Sequence, residues 1–303
     1  MKNDLNVKGD VLFILICLLF VSITKGQDRV TTNPDSASII TTDITNFWRA
    51  FDLLQNQRTW ADSLKIVKTI FVDKASEGLK QYMKAANCDE KQFLETIKKR
   101  KADYLAVREK TEAIADKKQL IIQYLQKFKR LYPALRIPSI CYTIGKFEVG
   151  GTQFENTLYI GCEVDIINHV DIIPQSIHEL GHFQQKDQNP VSNIDLAMIE
   201  GGAEFVSYQL TGKRTIYHTW KYGIANENHL WKEFRPKLDS AIDMKWFLDV
   251  PDKEKKRPGS LAYFIGFRIC EAYLKSHKNK KLALRELIEM ENPKKIFLTS
   301  SYK

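Results

Sequence analysis

The sequence is poor in the features that mark several common protein classes. Beyond residue 23 it holds no apolar run approaching the ~20 residues that a membrane-spanning helix needs. It has no CxxC pair, no internal repeat and no low-complexity tract. A GxSxG nucleophile elbow and a GxxxxGK[ST] phosphate loop are both missing, which leaves out the commonest serine-hydrolase and nucleotide-hydrolase designs. Cysteine is scarce, with 5 in 303 residues.

What is present begins with an export signal. Lys2 and Lys8 precede an apolar run, Val11 to Val21, and Ser22-Ile23-Thr24-Lys25-Gly26 follows. A charged start, a short apolar core and small residues before a cut are the pattern of a signal peptide, here residues 1–26 with Gln27 as the mature start. Bulky Ile16 precedes Cys17 where a lipid-attachment signal has a small residue, so lipidation of Cys17 is discounted. The expected destination is the periplasm or the medium, with no stable membrane insertion after cleavage. Cys88, Cys141, Cys162 and Cys270 then remain and allow three pairings. Cys141 and Cys162 flank a candidate hairpin and are the favoured pair; buried thiols are the alternative.

The net charge of +9 is spread along mixed-charge stretches such as Lys98-Lys99-Arg100-Lys101. Without a zinc-finger or RNA-binding signature, this reads as a solvated basic surface rather than a nucleic-acid site. Residues 27–42 are polar and read as a flexible leader. From 43 to 135 apolar residues recur at helical spacing, with Asp43 as N-cap of a helix over Ile44 to Gln55. Ile137–Thr143 and Leu158–Val164 read as strands, the latter a possible edge for an extended peptide. Helices return near Pro174, after Ser192 with a stop at Gly212, over Gly259–His277 and over Leu282–Glu291. The fold class is α+β, mainly helical, with an N-terminal helical region (43–135) and a second region (136–303) built on a small sheet.

The strongest chemical signal is His178-Glu179-Leu180-Gly181-His182. Residues i and i+4 share a helix face, so both imidazoles can reach one ion, and Glu179 beside them can hold a metal-bound water. Glu200-Gly201-Gly202-Ala203-Glu204 follows on the next predicted helix, with Glu200 18 positions after His182. Two histidines and a glutamate form a known zinc set. Glu204, one turn on, can accept a hydrogen bond from a ligand imidazole. Gly201 and Gly202 are expected where this helix approaches the HExxH helix. A metzincin would carry Gly at position 185 and His at 188; Gln185 and Gln188 exclude that class.

HExxH followed by ExxxE resembles the gluzincin clan of zinc peptidases. More closely, the chain is similar to a bacterial family of predicted zinc-dependent proteases: Leu158-Tyr159-Ile160-Gly161, Arg257-Pro258 with Ala262-Tyr263-Phe264-Ile265-Gly266-Phe267-Arg268-Ile269, and Phe297-Leu298 to Tyr302 look like its segments. Ala262, Phe264 and Phe267 depart from the Gly and Tyr usual there. The resemblance implies a zincin-like core and a peptidase in which one zinc ion, held by His178, His182 and Glu200, activates water for attack on a peptide or protein substrate, with Glu179 as general base. Tyr263 is the first candidate to steady the oxyanion, with Tyr217, His218, Tyr222 and His229 as rivals. The alternative is a non-catalytic binding or assembly factor of the cell envelope with a structural or relic zinc site.

Overall fold

The computed structural model describes residues 30–167, 170–186 and 189–302. The expected signal peptide, Cys17 and Gln188 lie outside the described residues.

Residues 30–42, expected to be a flexible leader, are built into the fold. Thr31 exchanges backbone hydrogen bonds with Ile137, and Pro34–Ser36 makes a 3-10 turn. Ile39–Ile40 then forms β1. The reason is local satisfaction: Thr31 and Ser36 hydroxyls bond each other at 2.9 Å, and two β-branched residues fit a sheet edge.

The helical region follows as α1 (Thr42–Leu54), α2 (Trp60–Ile66), α3 (Glu77–Ala85), α4 (Glu90–Lys99), α5 (Lys101–Glu112) and α6 (Lys118–Leu131). α2 runs on through a wide turn at Val67–Phe71. Asp43 is not the cap of α1. It lies inside the helix, fully buried, and its carboxylate accepts the Ser76 N–H at 2.8 Å and the Ser76 hydroxyl, tying α1 to the start of α3.

Pro133 and Pro138 break the helical pattern before β2 (Ser139–Thr143), β3 (Gly151–Phe154) and β4 (Thr157–Gly161). The sheet order is β1-β2-β4-β3. β2 and β4 are parallel, with Cys141 opposite Tyr159, and β3 runs antiparallel to β4. Two expectations change. The strand around Leu158 is internal, and β3 is the edge. Because β2 and β4 are parallel, Cys141 and Cys162 do not flank a hairpin, and all four described cysteines carry thiols. The chain leaves β4 directly into α7 (Cys162–Ile167), so the expected strand ends at Gly161.

The remaining elements are helices: α8 (Ile172–Gln184), α9 (Asn193–Thr211), α10 (Tyr217–Phe234), α11 (Leu261–Ser276), α12 (Lys280–Glu289) and α13 (Pro293–Thr299). Gly212, at φ 71°, ends α9 in the left-handed conformation that glycine adopts without strain. No described helix is long and apolar enough to cross a membrane. The apolar core forms two clusters. One gathers α1 to α8 and the sheet, with Val206 and Leu210 of α9 and Ile288 of α12; the other gathers the rest of α9 to α13. They meet where α8 lies against α9.

Glu163, on α7, shows how little solvent reaches the first cluster. It is fully buried, its Oε1 accepts the Phe147 N–H at 3.1 Å, and its Oε2 has no hydrogen-bond partner among the described residues. Burial pushes its carboxyl up from 4.5 to about 7. Between 4.5 and about 7 the folded protein therefore holds a proton that the unfolded chain has lost, and stability falls as pH rises through that window. The loss is on the order of 3 kcal/mol at about 1.4 kcal/mol per unit. Glu163→Gln keeps the acceptor and removes the ionisation. Thermal melts between about pH 5 and pH 8 should show the variant gaining on the native protein as pH rises; a constant gap would reject this account.

Candidate metal centre

α8 is fixed from three sides before any metal is considered. Asp171 caps it, accepting the Ile173 N–H at 3.2 Å, and Pro174 sits in its first turn. Tyr142 on β2 hydrogen-bonds Ser176 at 2.8 Å, anchoring the helix to the sheet. Ser207 on α9 donates to the Pro174 carbonyl at 2.7 Å. The two helices come close at Gly181, where an added Cβ would lie 3.3 Å from the Ala203 Cα. The expectation for Gly201 and Gly202 is corrected here. Gly201 faces α11, where a Cβ would fall 2.3 Å from the backbone of Gly266 and Phe267. Gly202 makes room for the Met290 methyl. Both glycines serve α9's packing on the C-terminal part of the chain, Gly201 against α11 and Gly202 against Met290.

This packing brings His178, His182 and Glu200 together. Their ligand-type atoms all lie within 4.8 Å of one another. His182 Nε2 is 3.0 Å from His178 Nε2 and 3.2 Å from Glu200 Oε2, and His178 Nε2 is 3.4 Å from the same oxygen. Bonds of about 2.0–2.1 Å to a tetrahedral zinc put ligand atoms about 3.3 Å apart. The donor set and spacing fit that ion.

The electrostatics follow from the crowding. Burial alone would lower both imidazole pKa values, but the Glu200 and Glu204 carboxylates push His178 up to about 10. Glu200 and neighbouring Glu179 also raise His182. Burial opposes ionisation of Glu200, yet the two histidines hold its carboxyl well below the usual range.

Around the cluster stand the residues that orient it. Glu204 Oε2 faces His178 Nδ1 at 3.6 Å, too long for a made hydrogen bond. That carboxylate is held by Thr215, which donates its N–H to Oε1 at 3.0 Å and its hydroxyl to Oε2. Arg214 pins Thr215's loop, its guanidinium lying 3.3 Å over Trp220 and 3.5 Å over Tyr208. Glu179 accepts from Gln175 at 2.8 Å, and edge strand β3 presses on it: a Cβ at Gly151 would lie 2.3 Å from its Oε1. Burial, offset in part by the histidines, raises its carboxyl. Behind it Asp165, buried with Oδ2 unpartnered among the described residues, packs on Gly150. Tyr263 stacks on His178 with ring centroids 6.0 Å apart. Of its rivals, Tyr217, His218 and His229 are exposed, and Tyr222 packs against the second core cluster.

Three residues of the site carry no sign of this role in the sequence. Gln185 bonds His182 Nδ1 through its Oε1 at 2.9 Å. Thr215 and Asp165 come from segments with no motif, and only the three-dimensional packing brings them in.

Comparison with known proteins changes the functional expectation. Residues 217–303 match the model of a family described as gliding motility protein GldB, a lipoprotein family. No curated protein and no solved structure matches the chain. The match overturns the resemblance to zinc-dependent proteases and, with it, the assignment as a peptidase, protease or hydrolase. It covers α10 to α13, including the Arg257–Ile269 segment on which that resemblance leaned. The structure gives that segment a packing role. A Cβ at Gly266 would fall 1.7 Å from the Ala197 carbonyl oxygen, so α11 is shaped to lie on α9. Phe264 and Phe267 are buried against Trp220. Helix packing accounts for Gly266, Phe264 and Phe267 of the pattern, while Tyr263 lies against His178.

The contact of Gly201 with α11 yields a direct test. Gly201→Ala drives a methyl group into backbone that cannot rotate away and should destabilise the protein by at least about 1–3 kcal/mol. Gly212→Ala, strained only in its left-handed φ with open space around it, should cost about 1 kcal/mol. Urea titration of both variants checks the order; equal losses would show that α9 and α11 can move apart freely.

Proposed function

We propose that this chain is a non-catalytic binding or assembly factor of the cell envelope, in which His178, His182 and Glu200 hold one zinc ion as a structural centre. The match of residues 217–303 to the gliding motility family carries the envelope role. By that likeness the chain serves an envelope assembly of the kind that moves cells over surfaces, and its partners are proteins.

The zinc reading rests on the donor set. Two imidazole nitrogens and a carboxylate oxygen, buried within 3.4 Å of one another, are poorly tolerated without a cation between them. When bound, zinc would supply positive charge and a fixed coordination geometry. His178 and His182 come from α8 and Glu200 from α9, so the ion would join the helix at the edge of one core cluster to the helix that opens the other. On this reading the sheet with α8 and α9 is a zincin-like core kept for its shape. Glu179 suits such a role, engaged by Gln175 and covered by β3.

Elemental analysis of the purified protein should find about one zinc per chain, lost in Glu200→Ala and retained in Glu179→Gln. The Glu200→Ala protein should also melt lower, since anything bound only to the folded state stabilises it. The non-catalytic role is tested by returning variants to host cells that lack the gene. Glu179→Gln should restore the surface phenotype in full, while Glu200→Ala should not. A Glu179→Gln strain indistinguishable from the deletion would sink the proposal.

A further inference from the structure

We infer that Gln185 is a positioning residue of the metal centre: its side-chain amide, locked between the Ile199 carbonyl and the His182 ring, fixes His182 in the tautomer that turns a bare Nε2 toward Glu200 and His178. This rests on the zinc reading above.

The argument is one of donor and acceptor inventory. Gln185 ends α8, its backbone is extended at φ −68° and ψ 139°, and its side chain is buried at 6% exposure. Its Nε2 donates to the Ile199 carbonyl at 2.8 Å. A carbonyl oxygen only accepts, so the NH2 end of the amide must face Ile199. Oε1 is then left 2.9 Å from His182 Nδ1, and it too only accepts. Nδ1 must therefore carry the hydrogen, and in the neutral ring Nε2 is left with its lone pair directed into the cluster. Ile199 immediately precedes Glu200, so one side chain sets a ligand ring on α8 against the backbone next to the ligand carboxylate on α9.

The two histidines are thus supported differently. His178 faces a carboxylate, Glu204, whereas His182 is backed by a neutral amide that is itself tied to the partner helix. Partners of this kind, one bond beyond the ligands, set ligand orientation and typically change metal affinity by about 10–100-fold when removed.

The test is a zinc competition titration against a chromophoric chelator, using the purified full chain with Gln185→Met, Gln185→Glu and Glu200→Ala. Methionine keeps the size and loses both hydrogen bonds; glutamate keeps an acceptor for Nδ1–H but places a charge in a buried site. Gln185→Met should bind zinc about 10–100-fold more weakly than the native chain, with Gln185→Glu between the two. If Gln185 only filled space, the order would reverse, because a buried carboxylate is a worse filler than methionine. Native affinity in Gln185→Met, or weaker binding by Gln185→Glu than by Gln185→Met, overturns the inference and leaves the zinc centre standing. If the native chain and Glu200→Ala both fail to bind zinc, the centre itself falls and the inference with it. Ring-nitrogen NMR of the zinc-loaded native protein needs no variant: hydrogen on His182 Nδ1 with zinc on Nε2 is expected, and the opposite arrangement refutes the role of Gln185.

Discussion

Two imidazole nitrogens and a carboxylate oxygen, held within 3.4 Å of one another away from water, form the constraint around which the centre of this molecule is organised. Lone pairs brought so close repel unless a proton or a metal cation lies among them, and burial deprives them of solvent that would otherwise screen the repulsion. The fold meets this demand with order. Asp171, Tyr142 and Ser207 fix α8, while Thr215 and Gln185 fix the groups behind the ligands. Each of these contacts is small alone, at roughly 1 kcal/mol for a net hydrogen bond. Together they remove the rotamer freedom that would let the cluster spread apart.

The placement of glycine shows how that order is reached. Gly181 lets α8 approach Ala203 on α9, and Gly201 with Gly266 lets α9 approach α11. α9 is consequently flanked by close-packed helices on both sides, and little of it meets solvent. A helix held in this way has few ways to move without breaking the core, so Glu200 stays where α8 can meet it. The glycine contacts belong to packing, and the metal-type cluster is a consequence of their position.

Much of this was legible in the sequence, and the reasons differ by element. Helical spacing placed α8, α9 and α11 because their apolar faces are long and continuous, and Gly212 marked the end of α9. The i, i+4 histidines and Glu200 were visible because helix geometry alone puts them within reach of each other. Strand order was not legible. β2 and β4 are parallel with β3 inserted beyond them, and no local pattern distinguishes that arrangement from a hairpin. Ordering of residues 30–42 depends on Ile137 and Ile140, about a hundred positions away. Gln185 entered the sequence reading only as a residue that excluded another class, because a glutamine gains its role here from the carbonyl of Ile199 on a different helix. The Arg257–Ile269 segment misled for a related reason: glycine and aromatic residues at helical spacing report close packing as readily as they report a shared activity.

HExxH with a downstream glutamate specifies where ligand atoms can meet, and that is a statement about helices. Hydrolysis asks for more: a carboxylate free to move a proton, and space beside the metal for a reacting group. In this protein the carboxylate of Glu179 is bonded to Gln175, pressed by Gly151 and backed by a second buried acid, Asp165. Gln175, Gly151 and Asp165, which surround that carboxylate, are distinct from the ligand set of His178, His182 and Glu200. Site geometry and activity are separable properties of a fold. The likeness of α10–α13 to a gliding motility family accords with that separation, since among the described residues those helices pack on α9 and place Tyr263 against His178 without contributing a ligand to the cluster.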